Sequence, residues 1–258
     1  MTQIVNITTE GPVGIIELNR PDHFNCLSTQ VFAAIDAGLD RFEADSSIRA
    51  ILLCAAGQHF CTGADLDQVT GARDNLESLQ AFIDPGLKVL DRFEASDLPV
   101  VAAVHGLCLA GGTEIMLACD IVFAARSAQF GDQHAQFGLV AGWGGTQRFP
   151  RVVGPRRALD LFFSGKWIEA AEAEQWGLVN YVCDDDALRD EALAYCTKLA
   201  TRSRSGLAMM KQLARQGIQG TLADGLTLER QHAVPHLMSE DVDEGLSAFK
   251  QRRTPKFK

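Results

Sequence analysis

Pro99-Val100-Val101-Ala102-Ala103-Val104 and, after four intervening residues, Leu109-Ala110-Gly111-Gly112-Thr113-Glu114 decide how this chain folds. The first run is short and continuously apolar, the pattern of a strand buried on both faces, as in a parallel sheet covered by helices. The second run bends at two glycines. If Gly111 opens a helix, its amide is one of the orphan donors of the first turn, and Glu114, three positions on, lies over nearly the same face. A donor for developing negative charge and an acid/base group can then share one pocket. The plain alternative at this point is a glycine bend into a helix that carries an exposed Glu.

Outward from that stretch the same grammar repeats. Ile4 to Thr9 and Val13 to Leu18 read as two strands turning at Glu10-Gly11-Pro12, and Ser28 caps a helix through about Phe42. Ala50 to Cys54 is a short buried strand that leaves into the polar loop Ala56 to Gly63; Leu79 to Phe93 is helical. Val100 to Val104 is the next strand, Gly112 to Ala118 a helix and Ile121 to Ala124 a further strand. Strands alternating with helices predict an α/β architecture. After Gly154-Pro155 the pattern turns almost wholly helical to about Gln251, with only Leu178 to Cys183 resembling extended chain. The expected organisation is an α/β core over 1–190 and a helical region over 191–258, with no low-complexity linker between them.

The 258 residues suit one large domain or a domain with an appendage. A formal charge of -9 disfavours nucleic acid as partner, and the absence of an 18-residue apolar run disfavours a membrane span. Positive charge gathers at Lys250, Arg252, Arg253, Lys256 and Lys258. Seven cysteines without a C-x-x-C pair suggest neither a disulfide framework nor a metal site, and they fit a reducing compartment. Met1-Thr2-Gln3-Ile4 has no leader pattern, so a cytoplasmic protein is expected. The chain has no Gly-Lys-Ser/Thr loop, no spaced three-glycine fingerprint, no H-E-x-x-H and no G-x-S-x-G. Phosphoryl transfer, zinc hydrolysis and the common serine-esterase chemistry lose their sequence support.

Two glycine-containing loops remain, Gly57 to Leu66 and Ala110 to Glu114. Together with Phe130-Gly131, Gly138-Leu139-Val140 and Gly142-Trp143-Gly144-Gly145-Thr146-Gln147-Arg148, they resemble the crotonase, or enoyl-CoA hydratase/isomerase, superfamily. The resemblance runs from Leu18-Asn19-Arg20-Pro21 and Asn25 to Glu244 through Phe249 and Arg253-Thr254-Pro255-Lys256-Phe257, essentially the whole chain. It implies a spiral of repeated ββα units with a helical C-terminal part that builds homotrimers, sometimes paired into hexamers. It also implies an acyl-CoA thioester as partner, with coenzyme A carried on the substrate and no separate cofactor or metal.

Carried over position by position, the resemblance places an oxyanion hole on the backbone N–H groups of Ala64 and Gly111. It puts Asp65, Leu66 and Gly112 at the CoA or substrate, and makes Glu114 one of two acid/base groups. Asp67 stands where many relatives have Lys. The second glutamate of the family's hydratases is replaced by His134, which can still transfer a proton near neutral pH. The resemblance therefore implies an enoyl-CoA hydratase first. The alternatives are an isomerase or carbon-carbon hydrolase using Glu114 with His134, and a non-catalytic acyl-CoA binder. Trp143 is read as packing or as a wall of the acyl pocket. Cys61 and Cys108, with no paired histidine nearby in sequence, are read as core residues and not as nucleophiles.

Overall fold

The computed structural model describes residues 3–257; Met1, Thr2 and Lys258 lie outside them, and with them the start of the segment read for a leader and the last basic residue. β1 (Val5–Glu10) and β2 (Val13–Leu18) form the expected hairpin, with Glu10 opposite Val13 and Gly11 turning at φ +56°. α1 (Thr29–Ala44) begins where Ser28 accepts the Val31 N–H at 3.1 Å, and it leads to β3 (Ala50–Ala55). Next come α2 (Leu66–Ala72) and α3 (Leu76–Ala95). α2 has too few apolar positions to show a period. α3 starts three residues before the expected Leu79 because the Asn75 side chain caps the Ser78 N–H at 2.8 Å.

β4 (Val100–Val104) and β5 (Leu107–Leu109) lead into α4 (Gly111–Leu117), followed by β6 (Ile121–Ala125) and β7 (Gln129–Gly131). A 3-10 turn at His134–Phe137 precedes α5 (Gly145–Val153), α6 (Pro155–Ser164), β8 (Trp167–Glu169), α7 (Ala170–Gln175) and β9 (Tyr181–Cys183). α8 (Leu188–Leu199), α9 (Arg204–Gly217), α10 (Leu222–His236) and α11 (Glu240–Gln251) complete the chain.

Six strands form one sheet in the order β1-β2-β3-β4-β6-β9, antiparallel only between β1 and β2. Ile51, Leu52 and Leu53 on β3 and Val100 through Val104 on β4 are buried whichever face they point to. That burial is why these strands do not alternate. Each buried Val, Leu or Ile side chain among them contributes about 1.5–3 kcal/mol relative to exposure. β5, β7 and β8 form a second sheet of three-residue strands, which were too short to read from sequence.

α8 packs over β2, β3, β4 and β6, with Ala192 and Cys196 buried, so residue 191 falls inside a helix of the core layer. α9 is anchored by Lys211, whose ammonium pairs with Asp120 at 2.8 Å and donates to the carbonyls of Phe93 and Leu98. The C-terminal helices leave Met210, Leu222, Leu237, Met238 and Phe249 exposed. Among the described residues, no helix is long and apolar enough to cross a membrane.

Candidate active site

The two glycine loops run side by side. Phe60 donates to the His105 carbonyl, Cys61 to that of Leu107, and Leu109 back to Cys61, so Cys61 and Cys108 are partners in a parallel bridge. Ala64 lies three residues beyond one partner and Gly111 three beyond the other. The two loops are in direct contact: a Cβ placed on Gly63 would come 3.3 Å from the Gly111 nitrogen. His59 accepts the Leu107 N–H on Nδ1 at 3.2 Å, and His105 Nε2 bonds the Gly57 carbonyl at 3.0 Å. Both histidines thus stitch one loop to the other.

The corner before α4 is strained. Ala110 sits at φ +48°, ψ −118°, a conformation costing a non-glycine residue about 1–3 kcal/mol. It is held by its N–H to the Gly131 carbonyl at 3.0 Å and by Thr113 Oγ1, which donates to the Cys108 and Gly131 carbonyls. The result turns Gly111 out of the ladder. Neither the Ala64 amide nor the Gly111 amide donates a hydrogen bond within the described residues. Two unengaged N–H groups at matched positions of adjoining loops are suited to one oxygen that gains charge.

Every residue of α4 is buried, and Glu114 is 1% exposed. An exposed Glu after a glycine bend is therefore ruled out. Glu114 Oε1 accepts the N–H groups of Trp143 and Gly145, each at 2.8 Å. Oε2 is buried with no hydrogen-bond partner and lies 3.7 Å from His134 Nε2. Desolvation raises the Glu114 pKa against the pull of the two amides and of His134. A carboxylate moved toward neutral pH with one oxygen uncommitted has the properties of a general base.

His134 is flanked on its other side by Asp132, which is itself buried. Nδ1 lies 2.9 Å from Asp132 Oδ2 and 3.1 Å from Oδ1, and Oδ1 also accepts the His134 backbone N–H at 3.1 Å. Burial works against an imidazolium here. The hydrogen bond and charge of Asp132, with the charge of Glu114, outweigh it and raise the His134 pKa above its ordinary value. Asp132 escaped the reading from sequence, although an Asp two residues before a candidate His is the local signal that could have found it.

The remaining predicted residues fall in different places. The Asp65 carboxylate is committed locally: it pairs with Arg20 at 3.0 Å and caps α2 through the Gln68 N–H, and its pKa is lowered, the hydrogen bonds and charge of Arg20 overcoming desolvation. Leu66 is 47% exposed beside it. Gly112 is pressed on the first loop, where a Cβ would lie 2.1 Å from the Cys61 carbonyl oxygen; it locks loop to loop on that side. Trp143 is buried between Phe32 and Phe82, its Nε1–H on the Ile83 carbonyl at 3.1 Å. Its indole lies against Gly86 and Gly111, where a Cβ would approach it to 2.4 and 2.7 Å. Burial pushes the Cys61 thiol up to about 12 and raises that of Cys108 well above its ordinary value, which removes both as nucleophiles at neutral pH.

Residues 8–258 match the family model described as enoyl-CoA hydratase/isomerase. A probable enoyl-CoA hydratase of Rhizobium meliloti is 36% identical over 252 residues, covering 98% of this chain and 96% of that one. The 1,2-epoxyphenylacetyl-CoA isomerase of Escherichia coli is 35% identical over 262 residues, covering 100% and 99%. The crystal structure of an enoyl-CoA hydratase from Bacillus anthracis superposes with a TM-score of 0.94 at 34% identity, over 99% of each chain. Sequence, fold and the paired loops agree: this chain belongs to the enoyl-CoA hydratase/isomerase family and has its crotonase-type fold.

Proposed function

We propose that the chain hydrates a 2-enoyl-CoA thioester, with coenzyme A present only as part of the substrate. The observation that carries this reading is the uncommitted, buried Glu114 Oε2 facing His134 Nε2 at 3.7 Å, close to two unengaged loop amides. Glu114 removes a proton from water as the water oxygen bonds to the β-carbon. The double-bond electrons move onto the thioester oxygen, where the amides of Ala64 and Gly111 receive the charge. The enolate then collapses, taking a proton on its α-carbon from the His134 imidazolium. Glu114 is left protonated and His134 neutral, and proton transfer from Oε2 to Nε2, as the two atoms close from 3.7 Å to hydrogen-bond distance, restores the pair. Each oxyanion donor is worth about 3–4 kcal/mol in the transition state.

The similarity to an isomerase supports a second reading, in which the same two groups move a proton between carbons without adding water. Product mass separates the two, because only hydration adds one water. The exposed apolar residues of the C-terminal helices support a homotrimer or a dimer of trimers, and the seven free cysteines support a reducing, cytoplasmic setting. Replacing Glu114 by Gln preserves an Oε1 for the Trp143 and Gly145 amides while removing the base. Crotonyl-CoA and longer enoyl-CoA hydration should fall at least about a hundredfold in E114Q, with the melting curve retained. Unchanged turnover would remove Glu114 from the mechanism.

A further inference from the structure

Asp132 is 4% exposed, and among the described residues its carboxylate bonds only to His134, through the backbone N–H and the ring Nδ1. A buried carboxylate is costly without partners that donate to it, and an ionised one can only accept. The Nδ1 position must therefore carry the proton. With Nδ1–H fixed on Asp132, the opposite nitrogen, Nε2, is the one that gains and loses a proton, and it is the nitrogen turned toward Glu114 Oε2. The same logic of a buried acid orienting a histidine operates in hydrolytic triads, where the acid sets tautomer and orientation and does not take the proton itself.

We propose that Asp132 is the positioning residue of this site, fixing the tautomer and ring orientation of His134 so that Nε2 meets the reacting carbon and Glu114 Oε2. This assignment rests on the acid/base reading of His134 given above. Its second consequence is electrostatic: the negative charge at Asp132 keeps the imidazolium populated at the pH where Glu114 is ionised. The charged groups that bear on His134 are Asp132, from the segment after β7, and Glu114, from α4. α6 packs on the 3-10 turn but directs its charges elsewhere. Asp160 pairs with Lys166 at 2.6 Å, Arg157 lies over the Trp176 ring at 5.2 Å, and Arg156 is exposed.

The position thus differs from a simple cap. A cap needs only the Oδ1 bond to the His134 backbone N–H, which Asn supplies equally well. The Oδ2 contact at 2.9 Å and the full charge are what Asn lacks.

The test is D132N in the full-length protein, read in two independent ways. Nitrogen-15 NMR of the histidine ring should show the His134 pKa falling by at least about one unit, a tenfold change in its protonation equilibrium. The alkaline limb of kcat for crotonyl-CoA should move to lower pH by the same amount, with KM within about twofold of the parent. In an H134Q background D132N should slow turnover by less than about twofold, since Asp132 acts through His134. An unchanged His134 titration in folded D132N overturns the proposal, and so does an equal loss of rate in the two backgrounds. The NMR arm needs no turnover, so it decides the role of Asp132 even if the hydratase reading itself fails. Should D132N not fold, D132E, which retains the charge, is read in the same way: the proposal expects its His134 to titrate at or above the ordinary value, and a lowered pKa overturns it.

Discussion

Gly112→Ala is the sharpest perturbation of the loop pair. A Cβ at residue 112 would stand 2.1 Å from the Cys61 carbonyl oxygen and 2.8 Å from its carbon, and both are backbone atoms. No side-chain rotation can relieve that contact. Relief needs the first loop to retreat by about 1 Å, which breaks the Leu109 N–H bond to Cys61 and displaces Ala64 from Gly111. Overpacking of this kind costs about 1–3 kcal/mol of stability, and in a chain of this size each kcal/mol lowers Tm by about 2–4 °C. The catalytic penalty is larger. If the Ala64 and Gly111 amides form the proposed oxyanion hole, losing one donor lowers kcat about 10²–10³-fold, and a 1 Å misplacement alone can cost about a hundredfold. The assay is loss of the enoyl-thioester absorbance on hydration, beside a circular-dichroism melt. Gly71→Ala on α2, where a Cβ meets nothing within 4 Å, is the matched control and should be neutral or slightly stabilising. Hydration within about threefold of the parent in G112A, with an unaltered Tm, would refute the claim that the two loops are locked at this glycine.

Three further outcomes follow from the contacts described above. Glu114→Ala should cost about 2–4 kcal/mol in urea unfolding because it strands the Trp143 and Gly145 amides, whereas E114Q retains an acceptor for both; equal stability of the two variants would contradict this. With Glu114 as the proposed base, the acidic limb of kcat/KM should lie above the ordinary carboxylate range, because desolvation raises the Glu114 pKa and the ionised form is lost as pH falls through it; a limb at the ordinary value would contradict that assignment. Lys211→Met should loosen α9 from the core, costing about 2 kcal/mol since Asp120 retains Arg215. Limited proteolysis of the C-terminal helices reads it, and parent-like resistance would show that Lys211 does not anchor α9.

The elements that could be read in advance are those whose signal is local. Ser28 carries its own cap, the β3 and β4 runs have apolar residues on both faces, and the Glu10-Gly11-Pro12 turn needs only a glycine at positive φ. β5, β7 and β8 were not legible because three residues carry no period, and each exists only through its partners. Glu114 and His134 stood out in the sequence as titratable groups near glycine loops. Asp132 was missed because a carboxylate two residues from a histidine is common, and only burial makes it costly enough to demand that partner.

The amino-acid sequence by itself determined the family-wide plan: buried strands alternating with capped helices, two glycine loops, and one glutamate three residues beyond a bare amide. Those features rest on interactions within a few residues, so they are written in order along the chain. Only the tertiary structure set the surroundings of that glutamate. Oε1 is bound by amides 29 and 31 residues away and Oε2 is left bare. His134 faces it with Asp132 behind, and the strained Ala110 corner frees the Gly111 amide. Solvent exclusion and distance across loops set proton affinities, and neither quantity exists until the loops have closed on one another.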